Sequence, residues 1–186
     1  MYNDLSSELT KKRRDAVLLT NRYNNSYGEE QRVRESILRE ILGDMGENVN
    51  FEPYFRCEFG SNICIGNNFF ANFDCVILDC NRVVIGNNVL FGPRVGLYAG
   101  NHAIHPDDRV AGGCYSKPIT IGDNVWVGAG VHIMGGVTIG KNSIIGAGSV
   151  VTTDIPENVI AAGVPCRIIR EITEEDRDPE FQSSLL

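Results

Sequence analysis

The sequence has no surplus of basic residues, no long apolar run and no closely spaced pair of cysteines. Its 17 Lys and Arg residues are outnumbered by 24 Asp and Glu residues, which gives a net charge of −7. A general nucleic-acid or anionic-membrane binder would need the opposite balance, so we expect neither partner. No segment approaches the length of a membrane span, and the N-terminus carries nothing like a signal peptide. The six cysteines contain no C-x-x-C pair, so we expect reduced thiols in a cytoplasmic protein.

Glycine is abundant, at 20 residues, but follows no collagen-like three-residue period. From about residue 49 an aliphatic or aromatic residue instead recurs every six positions, and glycine often follows it directly. The period slips by two residues after residue 77, is interrupted over residues 98–118, and then resumes without error. These positions make four full coils of three segments each, with a rougher partial coil over residues 49–63. The recurring residues are Ile65, Ala71, Ile77, Ile85, Phe91, Leu97, Ile121, Val127, Ile133, Ile139, Ile145 and Val151.

A six-residue period indicates short straight strands separated by corners, because a continuous strand would alternate with a period of two. Three segments of six residues close a triangular coil of about 18 residues, and successive coils stack at the spacing of neighbouring strands. The sequence therefore predicts an all-β core in the form of a parallel β-helix. Each recurring residue should point inward above its copy in the previous coil, and Gly, Asn and Asp should occupy corners that require a positive φ. The spacing does not determine the handedness of the coil.

The chain divides into three predicted parts. Residues 1–45 read as an N-terminal helical segment of two short helices, which could cover one end of the coil. Residues 46–170 read as the β-helix, with residues 98–118 as an outward loop, since repeat proteins accommodate insertions as loops. Residues 171–186 are mostly polar and acidic, and we expect a flexible tail.

The loop over residues 98–118 is the first candidate for chemistry, because it contains His102 and His105, two of the three histidines. Histidine is the usual general base near neutral pH. Spacing alone leaves open a solvated polar loop in which His102 has no catalytic role.

Several motifs around this loop are more specific than the bare repeat. Together they resemble the maltose and galactoside O-acetyltransferases, and the resemblance covers residues 2–170. It implies a left-handed coil, acetyl-CoA as co-substrate with no metal, a sugar hydroxyl as acceptor, and a homotrimer with active sites between subunits. The motifs are Asn68–Asp74, Gly-Asn-His-Ala-Ile-His at 100–105, Ile121–Gly128, Gly136–Gly140 and Ala162–Pro165.

The resemblance also implies roles for individual residues. His102 matches the catalytic histidine, and Asn72 matches an asparagine that positions the acceptor and stabilises the transition state. Sugar contacts fall on Asp4, Glu58 and Asp79. The chain departs from the galactoside pattern at Glu58, where that pattern has serine, and at Cys80, where it has a second carboxylate. These departures favour the maltose branch.

Other matching positions concern acetyl-CoA and the subunit contact. Small residues would let the pantetheine arm lie along the coil, and arginines would suit the nucleotide phosphates. Thr153 departs from the lysine that the family often has. Trp126 lies beside an inward Val125 or Val127, so it should point outward, and the resemblance implies that it lies at a subunit contact near the active site. The acetyl-CoA positions are Ala129, Ala147, Thr152, Thr153, Arg167 and Arg170.

Three other functions remain open from the sequence. The first is a metal enzyme resembling γ-class carbonic anhydrase, for which His102, His105 and His132 are the available ligands, at spacings that do not suit zinc. The second keeps the acetyl transfer but uses a non-sugar acceptor, such as an amine, serine or an antibiotic. The third is a non-catalytic scaffold, since one fold hosts several functions.

Overall fold

The computed structural model describes residues 2–179, beginning with a short strand β1 (Tyr2–Asn3) and two helices. Helix α1 (Ser7–Asn25) begins at Ser6, whose hydroxyl accepts a hydrogen bond from the N–H of Leu9. Helix α2 (Gln31–Ile41) buries an apolar face that includes Ile37 and Leu38. No helix among residues 2–179 is long and apolar enough to cross a membrane.

The rest of the chain is a parallel β-helix with three faces, each built from strands that stack coil upon coil. Face 1 contains β2 (Asp44–Met45), β5 (Ile63–Ile65), β8 (Val83–Ile85), β13 (Ile119–Ile121) and β16 (Thr138–Ile139). Face 2 contains β3 (Val49–Phe51), β6 (Phe69–Ala71), β9 (Leu90–Phe91), β14 (Trp126–Val127), β17 (Ile144–Ile145) and β19 (Val159–Ala162). Face 3 contains β4 (Arg56–Cys57), β7 (Val76–Leu78), β10 (Gly96–Tyr98), β15 (His132–Met134) and β18 (Val150–Val151).

The first coil is complete rather than partial, and it begins at Asp44, inside the segment assigned to the helices from sequence. Strand β2 pairs in parallel with β5, and β3 pairs with β6. The repeat is hard to read here because two stacked aromatic rings fill the interior, Phe51 and Phe55, with centroids 4.0 Å apart. Five complete coils follow one another, and Ile155 with β19 starts a sixth.

The two helices cover the exposed end of this first coil. Tyr23 donates a hydrogen bond to the carbonyl oxygen of Phe51 at 3.0 Å, and Arg34 donates to the same oxygen at 2.8 Å. The Asn24 side chain bonds both backbone groups of Phe55, at 3.0 and 2.9 Å. These bonds satisfy backbone groups that have no coil below them, as an end of a β-helix requires.

The predicted inward stack is confirmed. Ile121 lies over Ile139, Val127 over Ile145 and Ile133 over Val151 in adjacent parallel strands. All six side chains are at most 1% exposed. Because interiors pack at crystal-like density, each of these side chains fixes the position of its neighbours in the coils above and below.

The corner between faces 1 and 2 (corner 1–2) carries an uninterrupted ladder of asparagines. Each has a φ between 55° and 62°, as expected for corner residues. Each side-chain amide donates to the amide oxygen of the next asparagine, at 2.7–3.0 Å. The ladder consists of Asn48, Asn68, Asn88, Asn124, Asn142 and Asn158.

The ladder also measures the length of each coil. Its members are 20, 20, 36, 18 and 16 residues apart. The surplus lies entirely at the corner between faces 3 and 1 (corner 3–1), in residues 58–62, 79–82 and 99–118. Corner 1–2 and the corner between faces 2 and 3 (corner 2–3) keep the same length in every coil. The two-residue slip in the sequence is therefore a longer turn at corner 3–1.

The loop over residues 98–118 is folded, and it joins the N-terminus. It contains β11 (Gly100–His102), α3 (Pro106–Val110) and β12 (Gly113–Ser116). Strands β11 and β12 form an antiparallel hairpin, and β1 pairs with the free edge of β12. This small sheet was not foreseen from sequence.

The segment predicted as a flexible tail from residue 171 begins with ordered structure. Strand β20 (Arg167–Glu171) pairs antiparallel with β19 and ends at Glu171. Residues Glu174–Asp176 form a 3-10 turn, and Asp176 pairs with Arg170 at 2.6 Å. The part of the predicted tail over residues 180–186 lies outside the described residues.

The inward stack generates a stability prediction. Ile133→Ala removes a fully buried side chain that lies between Leu97 and Val151 of the adjacent strands. We expect a loss of about 2–5 kcal/mol in the free energy of unfolding, measured by urea titration. Ile104→Ala is the matched control, because Ile104 is 86% exposed and should change stability by less than about 0.5 kcal/mol. Equal losses in the two variants would contradict the inward assignment.

Candidate active site

A cavity of about 120 Å³ opens at corner 3–1, between the N-terminal segment and the hairpin. It brings together three residues that the sequence analysis assigned to the site, Asp4, Glu58 and His102. Asp4 follows β1, Glu58 lies in the turn after β4, and His102 ends β11. The remaining lining residues are Tyr2, Leu78, Cys80, Gly100, Asn101 and Cys114.

The hairpin positions His102 through its strand pairing. His102 lies directly opposite Cys114 in the antiparallel register, so both side chains project from the same face. The Nδ1 atom of His102 is 3.2 Å from the Sγ atom of Cys114. Within the described residues Nε2 makes no hydrogen bond, and the side chain is exposed. His102 therefore has one nitrogen held by the protein and one available to a bound molecule.

Arg13 on α1 bridges the two carboxylates of the cavity. Its guanidinium donates to the side chains of both Asp4 and Glu58, and also to the carbonyl oxygen of Asp4 at 2.9 Å. The guanidinium carbon also lies 5.5 Å from the centre of the Phe59 ring. The sequence analysis did not single out Arg13, because its two partners, Asp4 and Glu58, lie in other parts of the chain. Its only local signal is its spacing of four residues from Leu9 and three from Ala16, which puts a cation on the same face of α1 as these apolar residues.

Asp79 does not face the cavity. It is fully buried, and its carboxylate accepts hydrogen bonds from the backbone N–H groups of Glu58, Phe59 and Asn62 at 3.0, 2.8 and 3.2 Å. These bonds use both oxygens of the carboxylate. We therefore assign Asp79 to hold the turn that presents Glu58 rather than to contact a sugar.

Asn72 lies at corner 2–3, on the opposite edge of face 3 from His102. Its side-chain oxygen accepts from the N–H of Phe73 at 2.8 Å, which holds the side chain against its own turn. Ala129 and Ala147 continue the same corner in later coils, linked by the Gly148 N–H, which donates to the Ala129 carbonyl at 2.8 Å. Within one chain, therefore, Asn72 groups with the two alanines and not with His102.

Corner 2–3 is lined by small residues because the coils approach closely there. A Cβ added at Gly92 would lie 2.6 Å from the nitrogen of Ala129, and one at Gly128 would lie 2.6 Å from that of Ala147. Within residues 2–179 the N–H groups of Ala129 and Ala147 make no hydrogen bond. The corner thus forms a smooth ridge with two free backbone donors.

The other four proposed acetyl-CoA positions lie elsewhere. Thr152 and Thr153 are exposed at corner 3–1, and Arg167 and Arg170 are exposed on β20. Arg170 forms a two-bond pair with Asp176, whose pKa this pairing lowers to about 2. No carboxylate within the described residues pairs with Arg167.

Comparison with known proteins decides the family. The model of the bacterial transferase hexapeptide (six repeats) matches residues 118–153, and the maltose acetyltransferase hexapeptide capping motif matches residues 1–46. Galactoside O-acetyltransferase of Escherichia coli strain K12 is 48% identical over 182 residues, which are 98% of this chain and 90% of that protein. The chain belongs to the maltose and galactoside O-acetyltransferase family.

Solved structures agree with this assignment. A maltose O-acetyltransferase from Clostridium difficile 630 is 47% identical with a TM-score of 0.90, covering 93% of this chain and 92% of that one. A galactoside acetyltransferase in complex with coenzyme A is 50% identical with a TM-score of 0.90, covering 94% and 88%. The protein is thus an acyltransferase, and its coil is the left-handed β-helix of hexapeptide-repeat acetyltransferases.

The three histidines of this acyltransferase make different local contacts. The ring of His105 accepts from the N–H of Asp107 at 3.3 Å and caps α3. His132 projects from face 3, where its Nδ1 atom lies 3.0 Å from the hydroxyl of Tyr98. Among residues 2–179, no three His, Cys, Asp or Glu side chains are grouped so that they could hold a metal ion.

Trp126 points outward, as predicted, and is 53% exposed. It belongs to a column of apolar residues that runs along the outer side of face 2 in parallel register. The column contains Phe70, Leu90, Trp126, Ile144 and Ile160. Contiguous exposed apolar side chains of this kind usually mark an interaction surface.

The buried carboxylate of Asp79 provides a testable assignment. Asp79→Ala leaves three backbone N–H groups without their acceptor, and a buried unsatisfied donor typically costs about 1–3 kcal/mol. We expect a clear fall in the free energy of unfolding, with Asp79→Asn intermediate because its amide oxygen can still accept. Asp15→Ala, at an exposed position on α1, is the control. A stable Asp79→Ala protein, as resistant to urea as the control, would refute the assignment.

Proposed function

We propose that this acyltransferase moves the acetyl group of acetyl-CoA to a hydroxyl of a sugar, with His102 as the general base. The observation that carries the proposal is the position of His102 on the wall of the cavity that also contains Asp4 and Glu58. The names of the relatives, and the coenzyme A in one related structure, support the two substrates.

The proposed reaction begins when Nε2 of His102 takes the proton from the acceptor hydroxyl. The oxygen then attacks the thioester carbonyl, and the resulting tetrahedral intermediate expels the CoA thiolate. The imidazolium returns its proton to the departing sulfur, so the base is regenerated at the end of each turnover. The products are an O-acetyl sugar and CoA.

The acceptor is placed by Asp4 and Glu58, whose carboxylates can accept hydrogen bonds from sugar hydroxyls. Arg13 fixes both carboxylates and compensates part of their mutual repulsion. A sugar such as maltose, glucose or a galactoside offers several neighbouring hydroxyls to such a pair. An amine, serine or antibiotic acceptor is the competing assignment within the same reaction, and an acceptor panel separates them.

The acetyl donor lies along corner 2–3, where small residues leave room for the pantetheine arm. The free N–H of Ala129 is a suitable donor to the thioester oxygen as negative charge develops there, and the N–H of Ala147 is available to the arm. In the assembly proposed below, Thr152 and Thr153 would contact the donor from corner 3–1 of the neighbouring subunit, and Arg167 and Arg170 are assigned to its phosphates. Arg167 is the stronger candidate of the two, because Arg170 is already paired with Asp176.

The proposed assembly is a homotrimer in which corner 3–1 of one subunit meets corner 2–3 of the next. This arrangement is the simplest that brings His102 and Asn72 to one site, because the two corners border opposite edges of face 3. Trp126 and its apolar column on face 2 would be covered at the same contact. We place the enzyme in the cytoplasm, where its six free thiols stay reduced.

His102→Ala should lower kcat by about 10²–10⁴-fold, the usual contribution of a general base, with little change in the KM for acetyl-CoA. Release of CoA thiol across a panel of sugars and amines gives both the rate and the acceptor class. His105→Ala is the control, because His105 only caps α3. Loss of turnover in the control, with His102→Ala nearly unaffected, would show that the base is misassigned.

The shared site predicts complementation between two inactive variants. Neither His102→Ala nor Asn72→Ala should be active alone. When equal amounts are unfolded together and reassembled, roughly one quarter of the sites should combine an intact His102 with an intact Asn72 from a neighbour. Recovered activity in that range supports the trimeric site. If mixing restores nothing, while each refolded parent forms normal trimers, both residues act within one subunit.

A further inference from the structure

Three side chains from separate strands form a row across the small antiparallel sheet. Tyr2 of β1 lies opposite Cys114 of β12, and Cys114 lies opposite His102 of β11. Directly opposed residues project from the same side of an antiparallel sheet, and all three line the cavity. The central residue of this row, Cys114, has no role in the reaction described so far.

Cys114 is buried, at 3% exposure, and its sulfur is the only hydrogen-bonding partner of the His102 ring among residues 2–179. Burial is the main cause that raises the pKa of the Cys114 thiol, with a further contribution from the charge of Asp4. The group beside the ring nitrogen is therefore a neutral thiol. Its sulfur can accept a weak hydrogen bond, or its S–H can donate one.

We propose that Cys114 is a positioning residue that accepts the Nδ1–H of His102 and so keeps the Nε2 lone pair directed at the acceptor hydroxyl. The proposal rests on the proposed role of His102 as general base. A neutral imidazole carries one N–H, and the hydrogen bond made by one nitrogen decides the state of the other. If the thiol donated to Nδ1 instead, Nε2 would hold the proton and could not act as a base.

The sulfur contact also distinguishes this site from one in which a carboxylate holds the histidine. A neutral acceptor fixes the ring without stabilising the imidazolium by a full charge.

The other titratable groups around the ring are Tyr2 and Asp4 from the N-terminal segment, Arg13 from α1, and Glu58 and Cys80 from corner 3–1. His105, Asp107 and Asp108 lie in the segment that connects β11 to β12. The two carboxylates in the cavity, those of Asp4 and Glu58, are both paired with Arg13. A new carboxylate at position 114 should therefore act on the His102 ring separately from them.

Three substitutions separate positioning from packing. Cys114→Ala removes the acceptor, and we expect kcat to fall about tenfold or more with both KM values unchanged, as for a loss of ring orientation. Cys114→Ser keeps an acceptor of similar size, and should retain kcat within a few-fold. Cys114→Asp places a carboxylate beside Nδ1, and should move the acidic limb of the kcat/KM profile to higher pH, because it favours the protonated ring.

A spectroscopic readout tests the ring state itself. The 15N signals of the imidazole, assigned by their loss in His102→Gln, should report Nδ1–H in the unaltered protein and in Cys114→Ser. In Cys114→Ala they should report a mixture of tautomers. Cys166→Ala, which empties a buried thiol position away from the cavity, should leave both signals and kinetics unchanged.

The possible outcomes distinguish a failure of the positioning role of Cys114 from a failure of the proposed function. If His102→Ala is inactive but Cys114→Ala has normal kcat and tautomer signals, the positioning role is wrong and the general base stands. If Ala and Ser at position 114 lose activity equally, the thiol serves only packing. Acetylated Cys114 in enzyme quenched after mixing with acetyl-CoA alone would overturn the proposal in favour of a covalent intermediate. If His102→Ala stays active, the proposed function itself fails.

Discussion

The vertical stacking of inward side chains constrains everything else in this structure. Each of Ile121, Val127 and Ile133 must stay above its counterpart in the next coil, or three hydrogen-bonded faces lose their register together. Corners 1–2 and 2–3 therefore keep one length throughout, and the asparagine ladder locks the first of them. Variation in length is confined to corner 3–1. The polar cavity forms there because only there can the chain leave the coil and return without shifting the stack.

The two edges of face 3 have complementary chemistry for the same reason. Corner 2–3 keeps a fixed length, and the close contacts between its coils leave room only for small residues such as glycine and alanine. The result is a smooth ridge with unused backbone N–H donors. Corner 3–1 can vary in length, and it carries Glu58, Cys80 and the hairpin with His102. One edge suits a long, thin thioester, and the other suits a compact polyhydroxylated molecule. Under the proposed function the two edges have to meet for the reaction to occur, and the proposed trimer would bring them together.

The parts that the sequence predicts well depend on local spacing. The six-residue recurrence from Ile121 to Val151 identifies inward residues individually, and the loop with His102 is visible as its interruption. The parts it misses depend on partners far apart in the chain. Nothing near residue 2 indicates that β1 pairs with β12, and nothing near Arg13 indicates a bridge between Asp4 and Glu58. Asp79 has the appearance of an exposed corner residue, because its three backbone donors come from the preceding coil.

The 36-residue step in the asparagine ladder bears on how this fold can change during evolution. Asn88 and Asn124 make the same hydrogen bond as their neighbours do, although a folded hairpin and helix separate them in sequence. The stacking of the coils therefore does not depend on what is inserted between β10 and β13, provided that the two ends of the insertion lie close together. Under the proposed function this insertion forms one wall of the acceptor site, so it can change during evolution without altering the coils or the ridge at corner 2–3 that is proposed to bind the thioester. Acceptor preference should accordingly diverge faster among relatives than donor preference or fold.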